Sequence, residues 1–159
     1  MSSHSPLRFF KKRYLRRLIY LLCLSVFAVY ELSNMEVVRR TFIFYGLADD
    51  FERVEERMLP SLPSEELEIK RYVEEAILGP KSPESDLLFS RATRLRSLLL
   101  RDGVIYADLS EEAALPTLEI FMNGEILSRN LSVLEDGIKR NFPSVAEVKL
   151  FINGFRVET

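Results

Sequence analysis

Residues 93–109 read Thr-Arg-Leu-Arg-Ser-Leu-Leu-Leu-Arg-Asp-Gly-Val-Ile-Tyr-Ala-Asp-Leu, two alternating runs on either side of an Asp-Gly pair. Before the pair, Leu95, Ser97 and Leu99 alternate with Arg94, Arg96, Leu98 and Leu100. After it, Val104, Tyr106 and Asp108 alternate with Ile105, Ala107 and Leu109. Asp-Gly is a strong short-range hairpin signal, because both residues tolerate the positive φ that a tight turn needs. The pattern predicts an antiparallel hairpin, and Ser110-Glu111-Glu112 reads as the cap of the next turn.

Working outward, a helix is expected to start at Ser64, whose hydroxyl can accept from orphan first-turn amides, with Glu65 and Glu66 against the positive end of its dipole. Ile69, Tyr72, Val73, Ala76 and Ile77 follow helical spacing on one face, and Gly79-Pro80 closes the segment. Downstream, Ile120, Leu127, Leu131, Leu134, Ile138 and Phe142 keep helical spacing within Leu115–Phe142, firmly so over Glu125–Asn141, with Asn123-Gly124 as a potential break. Pro143 ends it. Val145–Ile152 reads as the last strand, with Val148, Leu150 and Ile152 opposing Lys149 and Phe151, and Asn153-Gly154 turns the chain. Upstream, Arg40–Gly46 is β-branched and aromatic and reads as a central strand, whereas Asp49–Pro63 fits a turn or an irregular strand around Phe51–Met58. The order strand, helix, strand, strand, helix, strand predicts an α+β two-layer sandwich, two helices on one side of a small mixed sheet.

Leu18–Tyr30 is an apolar run of thirteen residues with Ser25 its one clearly polar member. Arg8, Lys11, Lys12, Arg13, Arg16 and Arg17 precede it without an acid, so the positive-inside bias keeps the N-terminus in the cytoplasm. The reading is an uncleaved transmembrane anchor over residues 18–32, helped by Leu15, Leu32 and the amphipathic Tyr20 and Tyr30. A cleaved signal peptide ending near Val26-Phe27-Ala28 and a buried core helix are the rival readings. Residues 1–17 are then a basic cytoplasmic tail, 18–32 the anchor, 33–39 a linker and 40–159 one exported domain.

Charge is unevenly spread. Residues 1–17 hold six of the 22 Lys and Arg residues, so 16 basic face 24 acidic residues in the rest, a net −8. That argues against nucleic acid, whose phosphates require clustered cations. Cys23 is the only cysteine and lies in the apolar run, which leaves no disulfide framework; Leu21-Leu22 before it lacks the small residue of a lipidation site. His4, the only histidine, lies in the tail, so no Ser-His-Asp or Cys-His arrangement forms in the exported domain, and neither a cofactor nor a metal site is expected. Asp49-Asp50, or Asp102 with Asp108, could supply an acid/base pair for glycan cleavage. Asn130-Leu131-Ser132 matches a glycosylation acceptor by chance, within a helix. Arg91, Arg94, Arg96 and Arg101, set among Leu98, Leu99 and Leu100, are either the solvated face of a half-buried strand or a partner-binding surface.

Three segments carry a resemblance. Tyr72–Pro80 with its Gly-Pro exit, Arg94–Ser110 with its Asp-Leu-Ser ending, and Asn141–Gly154 resemble, in order, the helix, central hairpin and closing strand of the GerMN domain, the sporulation and spore germination module. The resemblance covers roughly residues 40–155 and implies a fold and not a site. It implies a noncatalytic membrane-anchored envelope protein that binds a partner protein or peptidoglycan, in sporulation, germination or wall assembly. Family members include tandem copies and are related in topology to ring-building modules, so a homo-oligomeric ring subunit is one alternative and a carboxylate-based wall hydrolase another. The chain has one copy and no lipobox.

Overall fold

In the computed structural model, which describes residues 7–33, 36–49, 51–115 and 124–157, the chain runs α1 (Leu7–Ser33), β1 (Val37–Tyr45), β2 (Glu52–Pro60), α2 (Glu65–Leu78), β3 (Leu95–Arg101) and β4 (Val104–Leu109). A short 3-10 turn (Glu111–Ala114), α3 (Gly124–Asn141), β5 (Glu147–Ile152) and β6 (Phe155–Arg156) complete it. The chain divides into two compact units, Met1–Glu36 and Val37–Thr159. His4, Asp50, Ile120 and Asn123 lie outside the described residues.

The first unit is one helix, α1, with Leu18, Leu22, Val26 and Phe27 all exposed. No helix among the described residues is long and apolar enough to cross a membrane. The expected span over residues 18–32 is therefore unsupported. Its uninterrupted run reaches about 20 Å against a hydrocarbon core of roughly 30 Å, and Arg16, Arg17 and Glu31 bound it.

In the second unit the well-signalled elements form as expected. The Ser64 hydroxyl accepts from the Leu67 N–H, and α2 buries Ile69, Tyr72, Val73, Ala76 and Ile77. Asp102 and Gly103 take φ of 52° and 75°, which closes the β3–β4 hairpin with Arg101 opposite Val104. Ile105, Ala107 and Leu109 face the core. β3 departs from simple alternation, because a register shift between Leu95 and Ser97 places Leu95 on the inner side with Leu98 and Leu100. β5 joins β4 in parallel, and a second positive-φ turn at Asn153-Gly154 returns the chain as β6.

The single mixed sheet expected from sequence is two sheets. β3-β4-β5-β6 form one, and β1-β2 form a separate antiparallel ribbon. The segment around Phe51–Met58 is thus a full strand, and β1 pairs on one side only, so it is no central strand. Phe42, Ile43 and Phe44 are nonetheless all buried, because helices cover β1: α2 packs Tyr72 on Phe42 and α3 packs along the strand. The Asn141 side chain accepts from the Thr41 N–H at 2.8 Å and donates to its carbonyl at 2.8 Å. Tyr72 donates to the same carbonyl at 3.1 Å, and burial pushes its pKa up. The hydroxyl fits because residue 137 is glycine; a Cβ there would lie 2.3 Å from the Tyr72 oxygen.

Two arginines fasten the ribbon to the helices. Arg57, 4% exposed, donates to Glu55 Oε1 (2.8 Å), Glu75 Oε2 (3.2 Å), the Glu75 carbonyl (3.0 Å) and the Gly79 carbonyl (2.7 Å). Its guanidinium lies 4.7 Å from the Phe42 ring centroid. Arg40 donates to Glu68 and to the Asn141 carbonyl, and lies 4.1 Å over the Phe142 ring. Glu68 also accepts from the Ser61 hydroxyl and the Leu62 N–H. Burial alone would raise the pKa of Glu55 and Glu68; Arg57 with the Lys81 N–H at the first, and the Leu62 N–H, Ser61 and Arg40 at the second, outweigh it and hold both below the usual range.

Replacing Arg57 with methionine keeps the volume but removes a donor from two carboxylates and two carbonyls, with Glu75 keeping only Arg71 and Glu55 only the Lys81 N–H of the contacts described. Arg57→Met is expected to cost about 3–5 kcal/mol in chemical denaturation of the full chain. A loss under about 1 kcal/mol would mean the node does not hold the fold.

Candidate interaction surface

The four-stranded sheet has one face on the core and one face open. The registers align three rows on the open face: Arg101, Val104 and Glu147; Leu99, Tyr106 and Lys149; Ser97, Asp108 and Phe151. Leu99 is 52% exposed. Lys149 Nζ lies 5.2 Å from the Tyr106 ring centroid and 3.6 Å from Glu147. The face therefore has an apolar and aromatic middle with both signs of charge around it. At one end, Asp108 accepts from the Gly154 N–H at 2.9 Å, and Arg96 reaches both Asp108 (3.6 Å) and the Asn153 side chain.

The four sequence-selected arginines do not form one patch. Arg91 and Arg94 stand before β3 and Arg101 at its far end, about 20 Å away along the strand. Arg94 is occupied locally: its guanidinium donates to the carbonyls of Arg91 (2.9 Å) and Thr93 (2.8 Å), and its N–H to the Ser110 hydroxyl (3.0 Å). The Ser110 side chain thus ties the loop rather than capping the turn after it. Arg101, largely exposed, lies 3.7 Å from Asp102. Arg96 and Arg101 flank the open face. Leu99, Tyr106, Lys149 and Phe151 complete it, and strand alternation already set them on non-core rows. The parallel pairing of β4 with β5 gathers them, and neither strand alone encodes that pairing.

The other sequence candidates come apart. Asp102 sits in the hairpin turn and Asp108 near the end of β4, on the order of 15–20 Å apart, beyond the roughly 5–9.5 Å that glycosidase carboxylates require. Asp49 accepts from the Phe51 N–H and from Arg53, which hold its carboxyl below the usual range. Asn130 is buried and donates to the Leu88 carbonyl at 2.7 Å, so its amide is engaged inside the fold. Among the described residues no group of His, Cys, Asp and Glu could hold a metal ion, and Cys23 is exposed on α1.

No family model and no characterised protein sequence matches the chain. Solved structures do. The first GerMN domain of the sporulation protein GerM from Bacillus subtilis matches with a TM-score of 0.54 at 21% identity, over 76% of this chain and 86% of that one. The tandem GerMN domains of the same protein match with a TM-score of 0.55 at 20% identity, over 77% of this chain and 41% of that one. A candidate lipoprotein from Clostridium perfringens aligns at 19% identity over 76% of this chain and 78% of that one, with a TM-score of 0.49. The fold is GerMN-like.

The two ends of the open face differ in what they hold. Asp108→Ala removes the acceptor of Gly154 and the partner of Arg96, and is expected to cost about 1–2 kcal/mol in thermal or chemical denaturation. Arg101→Ala is expected to stay within about 0.5 kcal/mol. The reverse ranking would contradict the placement.

Proposed function

We propose that this chain is a noncatalytic, membrane-attached module of the bacterial cell envelope, whose GerMN-like domain binds a partner protein or peptidoglycan in sporulation, germination or wall assembly. The observation that carries the reading is the likeness of its fold to the GerMN domains of a sporulation protein. The open sheet face is the binding surface, with Leu99 and Tyr106 as its apolar middle and Arg96, Arg101 and Lys149 around them. The mutual distance of Asp102 and Asp108 supports binding over glycan cleavage. Helix α1 supplies the attachment. Its exposed apolar side chains follow a run of cations with no acid, which favours an anionic inner leaflet on that side.

A photo-crosslinker placed at Leu99 in the full chain, expressed in a spore-forming bacterium, is expected to trap a discrete envelope component in the membrane fraction. With the crosslinker moved to the exposed Arg101, Leu99→Asp, at an exposed position, should abolish the capture while leaving stability within about 0.5 kcal/mol. Recovery of the chain as a freely soluble cytosolic protein without a crosslinked product would overturn the reading.

A further inference from the structure

The edges of the two sheets are treated differently. The β1 edge is closed by Asn141, which takes both backbone groups of Thr41, and by the loop after α2, whose Asp86 N–H bonds the Tyr45 carbonyl at 2.7 Å. On β3, the Leu100 N–H donates to Glu66 at 2.8 Å. β5 is paired by β6.

β2 is left. Because Thr41 and Tyr45 direct their backbone groups away from β2, Thr41↔Glu56 and Tyr45↔Glu52 are the pairs that exchange no hydrogen bonds. The register runs without a shift along the nine-residue strand, so Glu52, Val54, Glu56 and Met58 all direct N–H and C=O outward. Among the described residues, no backbone hydrogen bond reaches these groups. Their side chains share one face and are exposed, Val54 at 62% and Met58 at 59%. Edges of this length are usually blunted by a bulge, by proline or by charge; β2 has no bulge, Pro60 stands only at its end, the inward Arg53, Glu55 and Arg57 are paired within the fold, and the outward charges are Glu52 and Glu56, which repel an acidic strand and admit a basic one.

We propose that the free edge of β2 accepts an extended strand of a partner protein in which basic and apolar residues alternate. Charge decides the occupant. The outward row reads Glu52, Val54, Glu56, Met58, so a partner strand meets acid and apolar positions in turn, and lysine or arginine opposite each glutamate is the complement. A second copy of β2 is disfavoured. Antiparallel self-pairing that sets Val54 opposite Met58 puts Glu56 against Glu56, and centring on Val54 puts Glu52 against Glu56; the register between them sets Glu56 opposite Val54 and Glu52 opposite Met58 with glutamates as diagonal neighbours, so no register places a cation of β2 opposite either acid. The added strand would turn a two-stranded ribbon into a three-stranded sheet. This surface is distinct from the open face of the four-stranded sheet and stands on backbone geometry of its own.

The test titrates the full chain, held in detergent micelles, with a synthetic peptide as long as β2 that repeats Lys-Thr-Val-Thr, and with its counterpart carrying glutamate for lysine. The lysine peptide is expected to shift the amide resonances of Val54, Glu56 and Met58 and to slow their hydrogen exchange, and the glutamate peptide to bind roughly tenfold more weakly. The double variant Glu52→Lys/Glu56→Lys should reverse the preference. Val54→Pro removes an N–H that the β1–β2 ladder does not use and should abolish binding; the charge reversal decides the matter even should that variant unfold. Equal affinity for the two peptides, an unchanged preference in the double variant, or shifts confined to other strands overturn the proposal. Because the probes are peptides, such a result leaves the envelope reading standing.

Discussion

The buried guanidinium of Arg57 is the interaction on which the rest of the second unit's architecture depends. A charge taken out of water is costly unless fully paired, and this one is met by two carboxylates and two carbonyls. The carbonyls matter most to the topology. Those of Glu75 and Gly79 sit at the end of α2, where the helix leaves its last oxygens without internal donors and has no basic residue of its own in the final turn. A side chain from β2 therefore caps α2. Arg40 does the same for α3 by taking the carbonyl of Asn141, its last residue. The ribbon supplies the C-terminal donors of both helices, which fixes where it must lie.

That arrangement explains why there are two sheets and how the surfaces divide. Once both helix ends draw on β1 and β2, the ribbon's inner face is spent on α2, with Phe42 against Tyr72 and Arg57, and the edge of β1 on α3. The four-stranded sheet is covered on one side by the same helices and presents Leu99, Tyr106 and Lys149 on the other. Among the described residues the outer face of that sheet and the outer edge of β2 stay open, and they differ in kind: side chains define the first, backbone groups the second.

Sequence reading recovered the elements whose signals are local. Ser64 and Gly79-Pro80 bound α2, Asp102-Gly103 sets the hairpin, and the period of Leu131, Leu134 and Ile138 marks α3. It missed β2 because the polarity there is inverted. Arg53, Glu55 and Arg57 face inward and are paired, whereas Val54 and Met58 face out, so alternation without knowledge of the partners gives the wrong side or no strand at all. The bulge at Leu95 and the division into two sheets were invisible for a related reason, since both arise from pairing between distant segments. The arginines chosen from composition marked the rim of the open face at Arg96 and Arg101, but Arg94 proved to be a local tie. In the N-terminal unit the apolar run was plain, yet a helix with cations and an acid so near its ends falls short of a span.

The GerMN-like fold leaves the outer face of the four-stranded sheet and the outer edge of β2 open among the described residues. The clamp and the free edge make one joint demand on the backbone. Amide hydrogen exchange along β2 tests it most directly: the N–H groups of Arg53, Glu55 and Arg57, bonded into β1, should exchange only with global unfolding, while those of Val54, Glu56 and Met58 exchange fast. Uniform protection along the strand, or fast exchange at all six positions, would contradict the account.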